Sequence, residues 1–336
     1  MTKAKHVVVT GGAGFIGSHL VDRLVADGHD VVAVDNLKIG REKNLAKAVA
    51  SGRCKFMRMD IREGDALPAV FADADTVYHL AALADIVPSI EQPVEYFTTN
   101  VDGTFNVMEA ARVCGIKRVV YAASSSCYGI PDVYPTPEDA PIRPQYPYAL
   151  TKYLGERIAL HWGSVYNIPT VSLRFFNVFG PRARTSGTYG AVFGVFLAQK
   201  LAGKPFTVVG DGTQTRDFTF VTDIVEGIVT AAASDLRDEI VNLGSGGTYS
   251  VNDLCRLLGG PIEHIPKRPG EPDCTFADTS KAQRLLNWRA KTPFEDGVRI
   301  MLEHIADWRD APLWDAQSIA DATKVWFEKL GEASTV

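Results

Sequence analysis

The sequence predicts an α/β fold built on a doubly wound parallel sheet, with a smaller α/β cap that would bind the substrate. Short, valine-rich apolar runs alternate with helical patterns through the first half of the 336 residues. A glycine-rich turn directly follows the first of these runs. Strands that are apolar on both faces are typical of a parallel sheet buried between two layers of helices.

The elements follow in order along the chain. The predicted strands are His6–Thr10, Asp30–Asp35, Cys54–Met59, Thr76–Leu80, Arg118–Ala123 and Thr170–Phe175. The predicted helices of this half are Phe15–Asp27, Pro93–Cys114 and Tyr148–Tyr166. In such a sheet, ligands bind at the carboxyl ends of the strands.

The second half has shorter strands and more glycine and proline, which indicates a cap assembled from separate pieces. Residues 1–178 are predicted to form the cofactor-binding domain, joined by residues 217–250. Residues 179–216 and 251–336 would form the substrate-binding domain. Helices are predicted at Thr222–Ser234, at Ser250–Leu258 and in the tail Trp314–Leu330, where the tail helix would pack on the body without a functional role.

Composition excludes several classes of protein. The net charge of −5 and the lack of a dense basic tract argue against a nucleic-acid partner. No apolar stretch approaches the roughly 20 residues of a membrane span, so no membrane partner is expected. Five scattered cysteines, without C-x-x-C spacing, and a strand that starts near Met1 favour a cytoplasmic protein. These cysteines, and histidines without H-x-x-x-H spacing, predict no metal site.

The glycine-rich turn predicts a dinucleotide cofactor. Gly11, Gly14 and Gly17 follow the first strand with G-x-x-G-x-x-G spacing, and Phe15 and Ile16 open the next helix. Glycines at these positions allow a tight turn, a close approach of backbone to pyrophosphate, and close packing of helix on strand. The helix N-terminus then presents free N–H groups to the phosphates.

Asp35 decides which dinucleotide is favoured. It ends the second predicted strand, where a carboxylate can accept hydrogen bonds from both adenosine ribose hydroxyls and would repel a 2′-phosphate. NAD is therefore predicted over NADP. The alternative is that Asp35 only starts a turn. The remaining predicted cofactor contacts lie at strand ends or on the inner face of a helix: Asn36, Asp60, Ile61, Leu80, Ala81, Ala82 and Asn100.

Ser124, Tyr148 and Lys152 are the predicted catalytic residues. Tyr148 and Lys152 are four residues apart on one helix, so they share a face, and the lysine ammonium would favour the tyrosine phenolate. Ser124 follows a central strand, where its hydroxyl could bond a substrate oxygen. Both Tyr148 and Lys152 are also expected to contact the cofactor. For Ser125 and Ser126, a simple loop role is an equal alternative to substrate binding.

With these motifs in family order, the chain resembles the extended short-chain dehydrogenase/reductase family of nucleotide-sugar epimerases and dehydratases. Within that family it most resembles the UDP-glucose and UDP-N-acetylglucosamine 4-epimerases. The motifs are T-G-G-A-G-F-I-G, Asp35, Asp60-Ile61, His79-Leu-Ala-Ala82, Asn100-Val-Asp-Gly-Thr, Ser124, Y-x-x-x-K, Arg174-Phe-Phe-Asn177, Arg216-Asp-Phe and Ala277-Asp278.

The resemblance implies an NAD-dependent 4-epimerase that acts on a UDP-sugar through a 4-keto intermediate. It implies that Arg216 and Arg268 bind the diphosphate and that Asn177 binds the substrate, and Arg174, Arg182 and Arg184 are further cationic candidates. Thr275 takes the place of a bulky residue that excludes N-acetyl groups, so UDP-GlcNAc is an expected substrate beside UDP-Glc. Related enzymes pair two helices across a two-fold axis, which implies a homodimer through Pro93–Cys114 and Tyr148–Tyr166.

Some features leave alternatives open. Ser124-Ser125-Ser126 replaces the Thr-Asp-Glu of the family's dehydratases, and Ser126 replaces a decarboxylase glutamate, which disfavours both activities. Ala84 and Asp85 stand where many UDP-galactose 4-epimerases have a cofactor-contacting lysine. The alternatives are a UDP-glucuronate epimerase with Arg184 facing the carboxylate, an oxidoreductase that releases NADH, and a non-catalytic NAD-binding scaffold.

Overall fold

The computed structural model describes residues 5–183 and 192–331. Its strands, in chain order, are β1 (His6–Thr10), β2 (Asp30–Asp35), β3 (Cys54–Arg58), β4 (Thr76–His79), β5 (Arg118–Ser124), β6 (Thr170–Phe175), β7 (Asn177–Phe179), β8 (Phe206–Val209), β9 (Thr215–Arg216), β10 (Phe218–Phe220), β11 (Glu239–Leu243), β12 (Tyr249–Ser250) and β13 (Ile262–Ile265). Its helices are α1 (Phe15–Ala26), α2 (Ala46–Ala50), α3 (Leu67–Phe71), α4 (Ile86–Glu91), α5 (Pro93–Phe97), α6 (Gly103–Val113), α7 (Pro147–Val165), α8 (Val192–Leu201), α9 (Val221–Ala233), α10 (Val251–Leu258), α11 (Ser280–Leu286), α12 (Phe294–Glu303) and α13 (Ala316–Leu330).

Seven parallel strands form the central sheet, in the spatial order β11-β6-β5-β4-β1-β2-β3. The predicted doubly wound fold is confirmed. The strand order reverses at β1, which pairs with both β2 and β4, and a crevice for a ligand opens at such a reversal. The seventh strand, β11, is the one that the sequence did not predict.

Helices cover both faces of the sheet. One face packs against α1, α2, α9 and α11, and the other packs against α3, α6 and α7. The strands can therefore be rich in valine, because side chains on either face of the sheet are buried against apolar side chains of the helices.

The predicted helix Pro93–Cys114 is interrupted. A π-helical turn at Thr98–Asp102 separates α5 from α6 and carries Asn100. Such turns are frequent at functional sites, because they rotate the side chains that follow relative to those that precede them. The four apolar residues at near-helical spacing do not share one environment: Val101 and Met108 are buried, whereas Phe97 and Phe105 are exposed.

The cap has its own core, formed by aromatic and aliphatic side chains of β7, β8, β10, α8, α10 and α12. Three two-stranded sheets, β7–β10, β8–β13 and β9–β12, order its loops. The domain division stays a prediction, and two segments depart from it. Ala282, Leu286 and Trp288 pack in the core of the central sheet rather than in the cap. Phe218 and Phe220 of β10 pack in the core of the cap rather than in that of the sheet. Within the described residues, no helix has both the length and the hydropathy to cross a bilayer.

Candidate active site

The turn between β1 and α1 has the close packing that a pyrophosphate cradle requires. Gly11 has φ +70°, and a Cβ atom there would lie 2.7 Å from the Ala81 nitrogen. A Cβ atom on Gly17 would lie 2.0 Å from the Gly11 carbonyl oxygen. No side chain of the described chain caps the N-terminus of α1 at Gly14, so the N–H groups near Phe15 and Ile16 are available to an anion.

Asp35, at the end of β2, is placed beside this turn. Its carboxylate accepts hydrogen bonds from the Leu37 nitrogen at 2.8 Å and the Ala13 nitrogen at 3.1 Å. Burial raises the pKa of Asp35, and these N–H groups lower it in part. The hydrogen bond to Ala13 ties the carboxylate directly to the glycine turn.

Asp60 and Asn36 form a second polar group at the same edge of the sheet. Asn36 Nδ2 donates to Asp60 Oδ2 at 2.8 Å, and Arg62 donates from Nε at 3.0 Å and from Nη2 at 2.7 Å. The bonds from Arg62 lower the pKa of Asp60 to about 2. Ile61 is buried beside them. Arg62 is not among the predicted site residues, although the sequence places this cation only two residues after Asp60.

A buried network fixes the segment Leu80–Ala82 after β4. Thr104 Oγ1 donates to the Asn100 carbonyl at 2.6 Å, so it accepts the bond from His79 Nε2 at 3.0 Å. His79 Nδ1 then accepts from Thr10 Oγ1 at 2.7 Å, and Thr10 Oγ1 accepts from the Ala81 nitrogen at 3.3 Å. Burial lowers the pKa of His79 to about 3, which keeps the ring neutral. The network explains how Ala81 is held opposite Gly11.

Asn100 links this segment to the catalytic helix. Its Oδ1 accepts from the Leu83 nitrogen at 2.8 Å, and its Nδ2 donates to the Leu83 carbonyl and to Thr151 Oγ1, both at 3.0 Å. Both amide hydrogens of Asn100 are therefore committed to protein acceptors. The structure gives Asn100 a positioning role, and its direct contact with the cofactor stays a prediction.

The predicted catalytic hydroxyls lie together. Tyr148 Oη donates to Ser124 Oγ at 3.2 Å, and the Ser124 and Ser126 hydroxyls are 2.8 Å apart. Ser124 ends β5 and Tyr148 begins α7, so the sheet and the helix position one group each. Ser125 opens the short 3₁₀ turn Ser125–Tyr128, and no bond of its side chain is seen among the described residues.

Burial dominates the electrostatics of Tyr148 and Lys152. It raises the pKa of Tyr148, while hydrogen bonds with Ser124 and Ser126 lower it in part. The expected stabilisation of the Tyr148 phenolate by Lys152 stays a prediction. Burial also lowers the pKa of Lys152 to about 7. The physical reason is that desolvation disfavours the charged form of both groups. Lys152 Nζ lies 4.4 Å from the centroid of the Tyr121 ring.

Arg216 and Arg268 of the cap converge on one carboxylate. Arg216 Nη2 lies 2.7 Å from Glu271 Oε1, and Arg268 Nη1 lies 3.7 Å from Glu271 Oε2. Glu271 is not among the predicted site residues, although the sequence places it three residues after the oppositely charged Arg268. Arg216 and Glu271 also line a cavity of about 330 Å³ with Gln214 and Lys267.

Asn177 and Thr275 also lie together. Thr275 Oγ1 donates to Asn177 Oδ1 at 2.7 Å, and the Asp217 nitrogen donates to Thr275 Oγ1 at 3.1 Å. The backbone of Thr275 continues this link, because its nitrogen donates to the Thr215 carbonyl at 3.1 Å, next to Arg216. Three of the predicted substrate residues are thus connected in one region of the cap.

Two of the arginines that are candidate diphosphate ligands form ion pairs with carboxylates of the protein. Arg174 is 2% exposed, and its guanidinium binds Glu156 through Nε at 2.9 Å and Nη2 at 2.6 Å. It is therefore a buried structural cation rather than a phosphate ligand. Arg182 pairs with Asp22 of α1 at 2.6 Å. Arg184 lies outside the described residues.

The tail helix α13, which is expected to pack on the body without a functional role, lies against residues of this site. Trp326 is 3% exposed, and its ring centroid lies 6.4 Å from that of Tyr146 and 5.5 Å from the Arg268 guanidinium carbon. Tyr146 in turn stacks on Tyr148 at 6.3 Å with an interplanar angle of 7°. Helical periodicity showed that this face of α13 is buried but not what it contacts.

The described residues contain no group of three metal-ligating side chains.

The candidate site combines a dinucleotide cradle, a cluster of hydroxyl groups and a pair of arginines in the cap. The model of the NAD dependent epimerase/dehydratase family matches residues 7–244. The chain belongs to this family. NAD is the cofactor of the family, and the cradle around Gly11 and Asp35 fits it.

Curated relatives and solved structures agree with this assignment. A UDP-glucose 4-epimerase of Mycolicibacterium smegmatis is 36% identical over 305 residues, which cover 88% of this chain and 97% of that protein. A UDP-glucuronic acid decarboxylase of Xenopus tropicalis is 33% identical, with coverage of 90% and 74%. An epimerase and a decarboxylase are thus both similar to this chain.

Two similar solved structures are epimerases in complex with different UDP-sugars. A UDP-N-acetylglucosamine 4-epimerase from Methanobrevibacter ruminantium M1, in complex with UDP-N-acetylmuramic acid, has a TM-score of 0.86 and 32% identity, covering 91% of this chain and 99% of that one. A UDP-glucuronic acid 4-epimerase from Bacillus cereus, with UDP-glucuronic acid and NAD, has a TM-score of 0.84 and 32% identity, covering 90% and 99%. About a tenth of this chain is therefore unmatched in either structure.

Proposed function

We propose that this chain is a UDP-hexose 4-epimerase that interconverts UDP-Glc with UDP-Gal and UDP-GlcNAc with UDP-GalNAc. The observation that carries the proposal is the hydroxyl cluster of Tyr148, Ser124 and Ser126, which contains no carboxylate. Elimination of water and decarboxylation are assisted in this family by acidic side chains at these positions. Hydroxyl groups alone suit proton transfer at a secondary alcohol.

In the proposed reaction, Tyr148 in its phenolate form accepts the proton of the sugar 4-hydroxyl and later returns it to the oxygen of the 4-ketone, after the sugar has turned over in the site. Ser124, at 3.2 Å from the Tyr148 oxygen, bonds the same substrate oxygen and keeps the phenol oriented. NAD held by the cradle around Gly11 and Asp35 would supply the hydride acceptor for C4 and then the hydride donor, so that no net oxidation would occur.

The proposed diphosphate contacts are Arg216 and Arg268, because a guanidinium binds phosphate oxygens in a bidentate manner. Glu271 pairs with both arginines and holds them close to each other. The diphosphate would compete with this carboxylate for the two cations. Asn177 and Thr275 would contact the sugar or the nucleotide beside them.

A substrate panel tests the proposal. The purified protein is incubated without added cofactor with UDP-Glc, UDP-GlcNAc and UDP-glucuronic acid, and the products are separated by chromatography. We expect the first two to be epimerised at C4 and bound NAD to be released on denaturation. Tyr148→Phe, which loses only the hydroxyl, is the control and should lose more than 99% of the activity, or about 3 kcal/mol of transition-state stabilisation.

Each alternative gives a different result in the same panel. Epimerisation of UDP-glucuronic acid alone would support the glucuronate reading, loss of CO₂ would indicate a decarboxylase, and stoichiometric NADH release would indicate a net oxidoreductase. Bound NAD without turnover of any sugar would leave a non-catalytic scaffold.

We also propose a homodimer through α5–α6 and α7. The exposed side chains of these helices include large apolar groups: Val94, Phe97, Phe105, Leu150 and Val165. An exposed apolar patch of this kind marks an interface between proteins. Light scattering at micromolar concentration should give twice the 36.6 kDa chain mass, and Phe97→Glu should shift it to that of a single chain.

A further inference from the structure

The tail helix α13 connects the two sides of the candidate active site. Its preceding segment is attached to the cap, because Gln199 Nε2 of α8 donates to the Trp314 carbonyl at 2.9 Å. The helix then packs against α4, which follows β4 of the central sheet. Its buried side chains form one narrow stripe, Ile319, Thr323 and Trp326.

Trp326 makes three contacts that converge on the site. Its Nε1 donates to the Pro269 carbonyl at 2.8 Å, which fixes the loop that carries Arg268. The Arg268 guanidinium lies 5.5 Å from the centroid of the indole ring, within the range of a cation–π interaction. The Arg268 side chain is 11% exposed, so this interaction is largely shielded from water.

The third contact leads to the catalytic tyrosine. Trp326 packs against Tyr146 at 6.4 Å with an interplanar angle of 59°, and Tyr146 stacks nearly parallel on Tyr148. Aromatic pairs at such distances stabilise each other beyond the area they bury. One side chain of the tail thus contacts both the arginine loop of the cap and the aromatic pair that contains Tyr148.

We propose that Trp326 is a positioning residue for the nucleotide-sugar site, which it serves by holding the Arg268 guanidinium toward the diphosphate. The inference rests on the proposed function, in which Arg268 binds that diphosphate. The indole face restrains a long, flexible side chain before the ligand arrives, which reduces the entropy that binding must overcome. In this proposal the helix α13 contributes a side chain to the organisation of the binding site, in addition to packing against it.

Two matched variants test this role. Trp326→Phe keeps an aromatic face for Arg268, whereas Trp326→Leu keeps an apolar side chain without one, and both lose the hydrogen bond to Pro269. Phe327→Ala, on the exposed side of α13, is the control. We expect Trp326→Leu to raise the Kd of UDP and the KM of the UDP-sugar about tenfold, with kcat reduced less than threefold. Trp326→Phe should recover at least half of that loss on a logarithmic scale.

A double-mutant cycle assigns the effect to Arg268. If Trp326 acts through the guanidinium, Trp326→Leu should change the Kd of UDP less than twofold in an Arg268→Ala background. The content of bound NAD and the midpoint of thermal unfolding are measured for every variant. An equal loss of UDP affinity in the Leu and Phe variants, or a full effect without Arg268, would overturn the proposal.

The proposed function can fail separately. If the wild-type protein binds UDP but epimerises none of the sugars, the 4-epimerase assignment is wrong while the UDP-binding arms still decide the role of Trp326. If the protein epimerises UDP-sugars and Trp326→Leu binds UDP like the wild type, only the positioning role is wrong.

Discussion

The Thr275 hydroxyl donates a hydrogen bond of 2.7 Å to Asn177 Oδ1, so the residue expected to set sugar specificity holds the residue expected to contact the substrate. Replacement of Thr275 therefore has two effects, added or removed volume and a lost hydrogen bond. Thr275→Tyr should lower kcat/KM for UDP-GlcNAc at least tenfold more than for UDP-Glc, because a clash of about 1.4 kcal/mol acts on one substrate only.

Thr275→Val is the matched control for this prediction, since it removes the hydroxyl without adding bulk. It should lower kcat/KM for both sugars by the same factor. Equal losses on both sugars in Thr275→Tyr would show that Thr275 does not lie beside the C2 substituent.

Asp35 should determine the preference for NAD. Asp35→Asn keeps one acceptor oxygen, enough for either the Ala13 or the Leu37 nitrogen but not both, and it removes the charge that repels a 2′-phosphate. We expect the ratio of the Kd of NADP to that of NAD to fall about tenfold, as measured by calorimetry on protein freed of bound nucleotide. Asp30→Asn, on the same strand but paired with Arg53, should leave the ratio unchanged. Equal binding of NADP and NAD by the wild type would refute the assignment.

Lys152 should make stability depend on pH. Because burial lowers its pKa in the folded state to about 7, the unfolded chain binds one more proton between that pH and the ordinary lysine pKa of about 10.4. The contribution of Lys152 to the free energy of unfolding therefore rises with pH across this window. Lys152→Met removes the penalty, so it should stabilise the nucleotide-free protein more at pH 6 than at pH 9. An equal shift of the unfolding midpoint at the two pH values would contradict the low pKa.

The buried pair Glu156–Arg174 should be essential as a pair. Their side chains are 1% and 2% exposed, and Ser172 Oγ and Tyr128 Oη complete the hydrogen bonds. Glu156→Gln leaves a buried guanidinium without its counter-charge and should cost about 3–5 kcal/mol in chemical denaturation.

The double variant Glu156→Leu/Arg174→Met should be more stable than Glu156→Gln, because no charge is left buried. Glu303→Gln breaks an exposed pair with Arg299 and should cost less than about 1 kcal/mol. A loss in Glu156→Gln no larger than this control would mean that the buried pair does not hold α7 on β6.

Much of the cofactor site could be predicted from the sequence, because a parallel sheet brings the ends of its strands to one edge. Asp35 ends β2 and Ser124 ends β5, and the structure places each where a strand end must lie. The Tyr148–Ser124 bond follows from the same rule together with the helix that starts at Pro147.

The roles of the arginines could not be predicted in the same way. The sequence does not distinguish the roles of Arg174 and Arg216. Only the fold shows that Arg174 pairs with Glu156, while Arg216 reaches the cavity of the cap. The extent to which Tyr148 and Lys152 are buried could not be predicted for a related reason. Spacing along a helix shows that two groups are neighbours, but it does not show how much water they have lost.

The tail helix illustrates a third limit. Its periodicity indicated a buried face that includes Ile319 and Trp326, but periodicity carries no information on the identity of the opposing surface. The contact with Tyr146 joins positions far apart in the chain, and no local pattern in either segment encodes it.

The late strand β11 has a consequence for how the protein is made. Residues 239–243 complete the sheet by pairing with β6, so the hydrogen-bonding edge of β6 stays open until the ribosome has passed this point. An open, apolar strand edge is a template for pairing with other chains. A nascent or truncated chain that ends near residue 178 would expose that edge of β6. The predicted cofactor-binding half therefore completes its sheet only with a strand that is synthesised after residue 238.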